Sequence, residues 1–266
     1  MNSKDGRIIA RDNEIRVLRA LHRFGWLRTR DLAALVWQRW ATKAPITEPG
    51  LKPPMPTAAG LRMAQRTLRR LRESRQVLSA QAPDGSVIYA LSEAGARTLQ
   101  GIGVSASTGK DQIRSFSSSQ YRHRCIANEI AIGGIIQGYR ASPEREIARG
   151  LWLGGLQGIA GKKPDVLLRS GSVVWWIEVE RSRKNAKDYA HLLDWLDIVR
   201  RSVIELSGSP LLVENLSLSK IVFICTAAFR AKLVHDLEAK GWKKTHLDTL
   251  INFSTSLYSF ENITFS

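Results

Sequence analysis

The chain has 266 residues, 44% of them hydrophobic and 24% charged, a balance typical of a globular protein with one large domain or two ordinary ones. Lys and Arg number 40 against 24 acidic residues, and a formal net charge of +16 favours polyanionic partners, although composition alone does not separate DNA, RNA, an anionic membrane and a solvated basic surface. The absence of a signal-peptide pattern and of any apolar run of ~18–20 residues excludes a membrane segment, and two cysteines without C-x-x-C spacing, Cys125 and Cys225, predict buried thiols in a reducing, cytoplasmic compartment.

The first predicted elements are two helices joined by a short turn. Residues 11–24 carry apolar side chains at helical spacing, and Gly25 ends this helix. Thr29 is predicted to cap a second helix over 31–40, with Asp31 in its first turn, where the helix dipole favours an anion. This order predicts a helix-turn-helix.

A third helix is predicted over about 57–74, after a Pro-rich insertion that is expected to be extended. Arginines cover much of its surface, and Arg side chains reach guanine edges and phosphates when a helix enters the major groove. A solvated basic face is the alternative. The candidate DNA-binding residues are Arg62, Arg66, Arg69 and Arg70.

A β-hairpin with an Asp84-Gly85 turn follows, and then a short helix. Three helices and a two-stranded wing are in winged-helix order, which occurs in DNA-binding modules and in some protein-docking modules. Residues 1–105 hold 18 Lys/Arg against 8 Asp/Glu, a net charge of +10, whereas the remaining 161 residues have a net charge of +6. The denser positive charge of this winged-helix module favours nucleic-acid binding.

The predicted domain organisation has three parts. A winged-helix domain over 1–105 is followed by a Gly/Ser-rich flexible linker over 106–119 and by a second domain over 120–266. The second domain is predicted to begin with a helix over 121–137 and to continue through a Gly-rich irregular stretch. The fold class is therefore α/β, or α+β over the whole chain.

Three carboxylates are predicted to meet at the ends of two strands of the second domain. A strand that begins at Asp165 turns into a second, strongly β-prone strand, which brings Asp165 close to Glu178. Strand alternation places Glu178 and Glu180 on one face. Such a cluster of anions suits Mg²⁺ or Mn²⁺, which would polarise a phosphodiester and activate water. An exposed hairpin whose acids pair with nearby basic residues is the alternative.

Four segments in this order resemble the replication-relaxation family and the MobC-type conjugative relaxases, over roughly residues 12–242. The segments are HRCIANE, SPEREI, KPDVLL and WWIEVERSRKN. The resemblance implies an N-terminal winged helix-turn-helix followed by a restriction-endonuclease-like domain of the PD-(D/E)xK type. It also implies a helix-strand-helix unit after the hairpin, matched by residues 188–242.

The resemblance implies that Asp165 and Glu178 are metal ligands. Glu180 stands where many of these nucleases have Lys, so it is expected to bind metal or position water. Lys184 is a candidate substitute for that lysine. The preceding helix offers His123 as a candidate catalytic residue and Glu129 as a further metal ligand.

The resulting hypothesis is a mobilisation or relaxosome protein that recognises a transfer-origin duplex and nicks DNA with Mg²⁺ or Mn²⁺, with other relaxosome proteins as further partners. The alternative is a non-catalytic relaxosome accessory, or a transcriptional or replication regulator, whose nuclease fold has lost its chemistry.

Overall fold

A computed structural model describes residues 5–45, 47–114, 116–180, 185–205, 212 and 215–256. It is a mixed α/β structure with two separate sheets, and its contacts divide it into two compact units. Among the helices of these ranges, none is long and apolar enough to cross a membrane.

The first unit begins with helices and a short strand. The elements are α1 (Gly6–Phe24), β1 (Trp26–Arg28), α2 (Thr29–Trp37), α3 (Ala58–Glu73), β2 (Val77–Gln81), β3 (Val87–Leu91), α4 (Glu93–Gln100) and α5 (Lys110–Arg114). The strands form an antiparallel sheet in the order β1-β3-β2. Its core is formed by apolar side chains of α1, α2, α3 and β3.

Local chemistry explains these boundaries. Gly25, at φ 86°, ends α1 as predicted, and Gly85, at φ 79°, allows the tight turn between β2 and β3. The hydroxyl of Thr57 accepts the amide of Gly60 and caps α3. Thr29, predicted to cap α2, is instead its first residue: the cap is Arg28, whose backbone amide donates to the carboxylate of Asp31.

The predicted flexible linker is packed on the first unit. The amide of Gly109 donates to the carbonyl of Leu91 over 2.7 Å, Ala106 is buried, and α5 lies within the predicted linker. The linker prediction was therefore wrong over 106–114, because backbone hydrogen bonds to the end of β3 fix this segment.

The second unit contains five strands and the helices that cover them. After α6 (Ser118–Ile136), only the end of which belongs to this unit, the elements are β4 (Arg140–Pro143), α7 (Glu144–Ala148), β5 (Val166–Ser170), β6 (Val173–Glu180), α8 (Ala186–Arg200), a π-helical turn (Arg201–Glu205), β7 (Ser217–Cys225), α9 (Ala227–Ala239), α10 (Lys244–Leu250) and β8 (Ile251–Ser254). The sheet order is β4-β5-β6-β7-β8, antiparallel as far as β6 and parallel beyond it.

The unit boundaries differ from the predicted domains at two places. Residues 118–132 of α6 belong to the first unit, which therefore extends beyond residue 105. Ala41–Pro53, the Pro-rich insertion between α2 and α3, belongs to the second unit. There the side-chain amide of Gln137 exchanges two 2.8 Å hydrogen bonds with the backbone of Gly50, and the hydroxyl of Tyr139 donates to the carbonyl of Thr47.

The core of the second unit lies between one sheet face and the helices α8 and α9. Trp176 of β6 packs on Trp195 of α8, with ring centroids 4.7 Å apart, and Phe223 of β7 packs near Phe229 of α9. Because Glu178 and Glu180 alternate with Val179 along β6, they lie on the same face as Trp176. The sheet therefore directs two carboxylates towards a largely apolar layer.

Candidate functional site

The exposed face of α3 carries a stripe of arginines. Arg62, Arg66 and Arg69 lie at i, i+4 and i+7, so they share one face of the helix, and all three are exposed. Within the described ranges, no acidic side chain pairs with any of them. At 1.5 Å per residue, the stripe is about 10 Å long, comparable with the ~12 Å width of the major groove.

The fourth predicted DNA-binding residue has a different environment. The Nε of Arg70 donates to the carboxylate of Glu14 over 2.9 Å, which ties α3 to α1. Its side chain is 42% exposed, so the pair lies at the protein surface. The structure therefore separates Arg70 from the stripe formed by Arg62, Arg66 and Arg69.

The turn of the β2–β3 hairpin is fixed to α6 and carries no positive charge. Residues 76–91 contain no Lys or Arg, and their one charged side chain is Asp84. The hydroxyl of Tyr121 donates to Asp84 over 2.7 Å and lies 2.9 Å from the hydroxyl of Ser86. The ring of Tyr121 also stacks on Trp26, with centroids 5.8 Å apart.

Tyr121 is therefore held inside the first unit. Burial and nearby negative charge raise the pKa of its phenol well above the ordinary value. A buried phenol that donates to a carboxylate is a poor nucleophile.

One of the two candidates on α6, Glu129, forms part of a charge cluster around a buried arginine in the first unit. The guanidinium of Arg28, which is 5% exposed, donates to Asp31 over 2.8 Å and to Glu129 over 2.6 Å. Burial raises the pKa of Glu129 despite the attraction of Arg28. His123 lies on the same helix, partly exposed. Glu129 and His123 thus belong to the first unit, whereas Asp165, Glu178 and Glu180 belong to the second.

Asp165 lies beside the end of β6 that carries Glu178. It immediately precedes β5, whose first residue, Val166, pairs with Ile177, and the backbone amide of Asp165 donates to the carbonyl of Ile177 over 3.0 Å. The backbone amide of Val179 donates to the carboxylate of Asp165 over 2.7 Å. The predicted proximity of Asp165 to the Glu178 end of β6 is therefore present, and it follows from the hairpin register.

Glu178 already has a cationic partner that the sequence analysis did not identify. The ammonium of Lys162 lies 2.6 Å from Oε1 of Glu178, and the indole N–H of Trp176 donates to the same oxygen over 2.5 Å. Glu178 is 3% exposed, so both partners replace water around a buried carboxylate. The sequence Lys-Lys-Pro-Asp does place two lysines close to Asp165, but it does not specify which of them turns towards the strand.

Glu180 is equally buried and lies beside β7. It pairs in register with Cys225, and burial together with the negative charge of Glu180 raises the pKa of that thiol to about 11. Both cysteines are free and buried, as predicted. Lys184, the candidate substitute for the usual lysine, lies outside the described residues.

The metal prediction requires that the three carboxylates at the acidic strand ends (Asp165, Glu178 and Glu180) form one cluster, and they do not have this arrangement. Within the described part of the chain, no three His, Cys, Asp or Glu side chains are placed to hold a metal ion together. The oxygen of Glu178 that faces its neighbours is occupied by an ammonium and an indole N–H. The residues present therefore fit an internal ion pair better than a divalent cation.

The fold and the arginine stripe must be interpreted on their own, because comparison with family models, with curated proteins and with solved structures finds no match to this chain.

Proposed function

We propose that this chain is a duplex-DNA-binding protein whose first unit acts as a winged helix-turn-helix, with α3 as the recognition helix. The observation that carries the proposal is the exposed stripe of Arg62, Arg66 and Arg69 on the helix that follows α2, with which no acidic side chain of the described residues pairs. The element order helix, strand, helix, helix, hairpin and the sheet order β1-β3-β2 support it. Three neighbouring guanidiniums suit phosphates and guanine edges in a groove of matching width.

The β2–β3 hairpin has a structural part in this proposal. Its turn offers no cation to a phosphate, and its one carboxylate is turned towards Tyr121. We therefore assign DNA contact to α3 and assign the hairpin to the attachment of α6. In the expected complex, α3 makes its contacts in the major groove of the DNA.

The proposal is tested by fluorescence anisotropy with a labelled duplex of about 30 base pairs across a series of salt concentrations. Replacing Arg62, Arg66 and Arg69 together by Ala should weaken binding on the order of 100-fold. It should also reduce the slope of log affinity against log salt concentration by an amount that corresponds to about two to three phosphate contacts. The matched control is Arg97→Ala, which removes an exposed arginine of α4. Equal losses of binding free energy per arginine removed in the triple variant and in the control would reduce the proposal to a general charge effect.

A second candidate function is metal-dependent nicking of a transfer-origin duplex, in a PD-(D/E)xK-like domain such as the family resemblance implies. The hydrogen bond from the amide of Val179 to the carboxylate of Asp165, which holds Asp165 at the end of β6 that carries Glu178, favours it. In this candidate, Mg²⁺ or Mn²⁺ would displace the Lys162 ammonium from Glu178 and bind Asp165 and Glu178, with Glu180 as a further ligand, and relaxosome proteins would be partners.

The nicking candidate is tested on supercoiled plasmid that carries the cognate origin, with and without Mn²⁺. Conversion to open circles by the wild type, and its loss in Asp165→Ala, would support it. If instead the open-circle yield is the same in the variant, the activity does not belong to this site, and the chain is a non-catalytic accessory or regulatory protein.

A further inference from the structure

We propose that Lys162 is the permanent counter-ion of Glu178, so that a protein ammonium, and not a divalent metal ion, neutralises the acidic strand ends of the second unit. The Lys162 Nζ lies 2.6 Å from Glu178 Oε1, and the two side chains are 19% and 4% exposed. The inference concerns the second unit alone and is independent of DNA binding by α3.

The backbone around Lys162 is built to hold this lysine. Ile159 and Lys162 form a two-residue hairpin closed by N–H to O=C hydrogen bonds of 2.8 and 3.1 Å. Both central residues have positive φ, 50° at Ala160 and 78° at Gly161, as a type I′ turn requires. Gly158 is needed as well, because a Cβ there would lie 2.4 Å from the carbonyl oxygen of Lys162.

The turn is also attached to the core. The indole N–H of Trp195 donates to the carbonyl of Ile159 over 3.0 Å. The ammonium of Lys162 lies 5.5 Å from the centre of the same indole ring, within the range of a cation–π contact. Since Trp195 packs in turn on Trp176, the lysine, its carboxylate and two tryptophans form one connected cluster.

The Lys162 ammonium and a metal ion would compete for the carboxylate of Glu178, because both are cations. Both are positively charged, and a cation bound at Glu178 would face the Lys162 ammonium at close range in a poorly solvated site, where repulsion is strong. The indole N–H of Trp176 already donates to the same oxygen and has no second acceptor in the contact. Metal binding would therefore leave the buried indole N–H and the partly exposed ammonium without their partner.

The test measures Mn²⁺ binding to the full chain without DNA, from the electron paramagnetic resonance signal of free Mn²⁺. The variants are Lys162→Gln, the matched control Lys163→Gln, Glu178→Gln, and Lys162→Gln combined with Glu178→Gln. Lys163 is a suitable control because it is the exposed neighbour of Lys162 in the sequence. Urea unfolding of each variant shows whether it is folded.

The wild type, Glu178→Gln and Lys163→Gln should bind Mn²⁺ alike and weakly. Lys162→Gln should bind on the order of tenfold more tightly, and the double variant should lose this gain. Saturable binding by the wild type that Glu178→Gln removes would overturn the proposal, and this comparison decides the matter even if Lys162→Gln does not fold. Folded Lys162→Gln with no gain in Mn²⁺ affinity would overturn it too. DNA binding is unaffected by either result, so failure here is distinguishable from failure of the proposed function.

Discussion

The phenol of Tyr121 donates a 2.7 Å hydrogen bond to the carboxylate of Asp84, and this bond joins helix α6 to the turn of the β2–β3 hairpin. Partial burial favours the protonated form of Asp84, but hydrogen bonds from Ser86 and Tyr121 outweigh that effect and hold the pKa of Asp84 below its ordinary value. Asp84 is therefore a charged acceptor, and hydrogen bonds to charged groups are the stronger ones.

Tyr121→Phe should lower the free energy of unfolding by about 1–2 kcal/mol, because the carboxylate loses its phenolic donor while the ring stacking is kept. Urea denaturation measures the change. In a double-mutant cycle, Asp84→Asn should cost less in the Tyr121→Phe background than in the wild type. Additive losses would show that the two side chains do not interact.

Arg70→Ala should change stability and DNA binding differently from Arg69→Ala. Because the Arg70–Glu14 pair is exposed to solvent, its loss should lower the free energy of unfolding by no more than about 1 kcal/mol, an effect that added salt reduces. Arg69→Ala should leave stability within about 0.5 kcal/mol and weaken duplex binding more than Arg70→Ala does. Urea unfolding and anisotropy on the same samples check both statements.

Arg28→Met should be strongly destabilising, because it leaves Asp31 and Glu129 buried without their shared cation. Removal of one partner from a buried ion pair costs about 3–5 kcal/mol, measured here by urea denaturation. The control is Arg30→Met, since Arg30 is exposed in the first turn of α2, two residues after Arg28, and it should stay within about 0.5 kcal/mol of the wild type. A loss for Arg28→Met as small as that of the control would refute the assignment.

Stability should decline at alkaline pH. Burial raises the pKa of Cys125 from its ordinary value of 9.0 to about 12, so the folded state holds the thiol proton that the unfolded state releases. This contribution is complete below pH 9 and is lost as the pH rises through the folded value. Urea unfolding at about pH 8, 9.5 and 10.5 should show a smaller decline in the free energy of unfolding for Cys125→Ala than for the wild type. An identical decline would exclude this thiol as the cause.

The elements that the sequence predicts well are those whose signals are local. Helix α3 begins one residue after Thr57 and has its arginines outside, since its apolar spacing and its cap are properties of neighbouring residues. The hairpin follows in the same way from Asp84-Gly85 between two β-prone runs. Strand β1, in contrast, has three residues and exists only through its pairing with β3, so no local pattern indicates it.

The candidate site was predictable in part for a similar reason. Period-two alternation and one turn are sufficient to bring Asp165 close to the Glu178 end of β6. The choice of Lys162 as the partner of Glu178 depends on positive φ values at two residues and on the position of Trp195, which comes 33 residues later in the chain. Long-range packing of this kind also determines that most of α6 belongs to the first unit.

The insertion Ala41–Pro53 has a consequence for how the protein is made. The chain enters the second unit at residue 41, returns to the first at residue 54 and leaves it again after residue 132. During synthesis, the hydrogen-bonding partners of Gly50 and Thr47 emerge from the ribosome some ninety residues after the insertion itself. The first unit likewise is complete only after α6 has been synthesised. Neither unit is a continuous stretch of sequence that could finish folding before synthesis of the other begins. We therefore expect truncation at residue 105 to yield a fragment that aggregates.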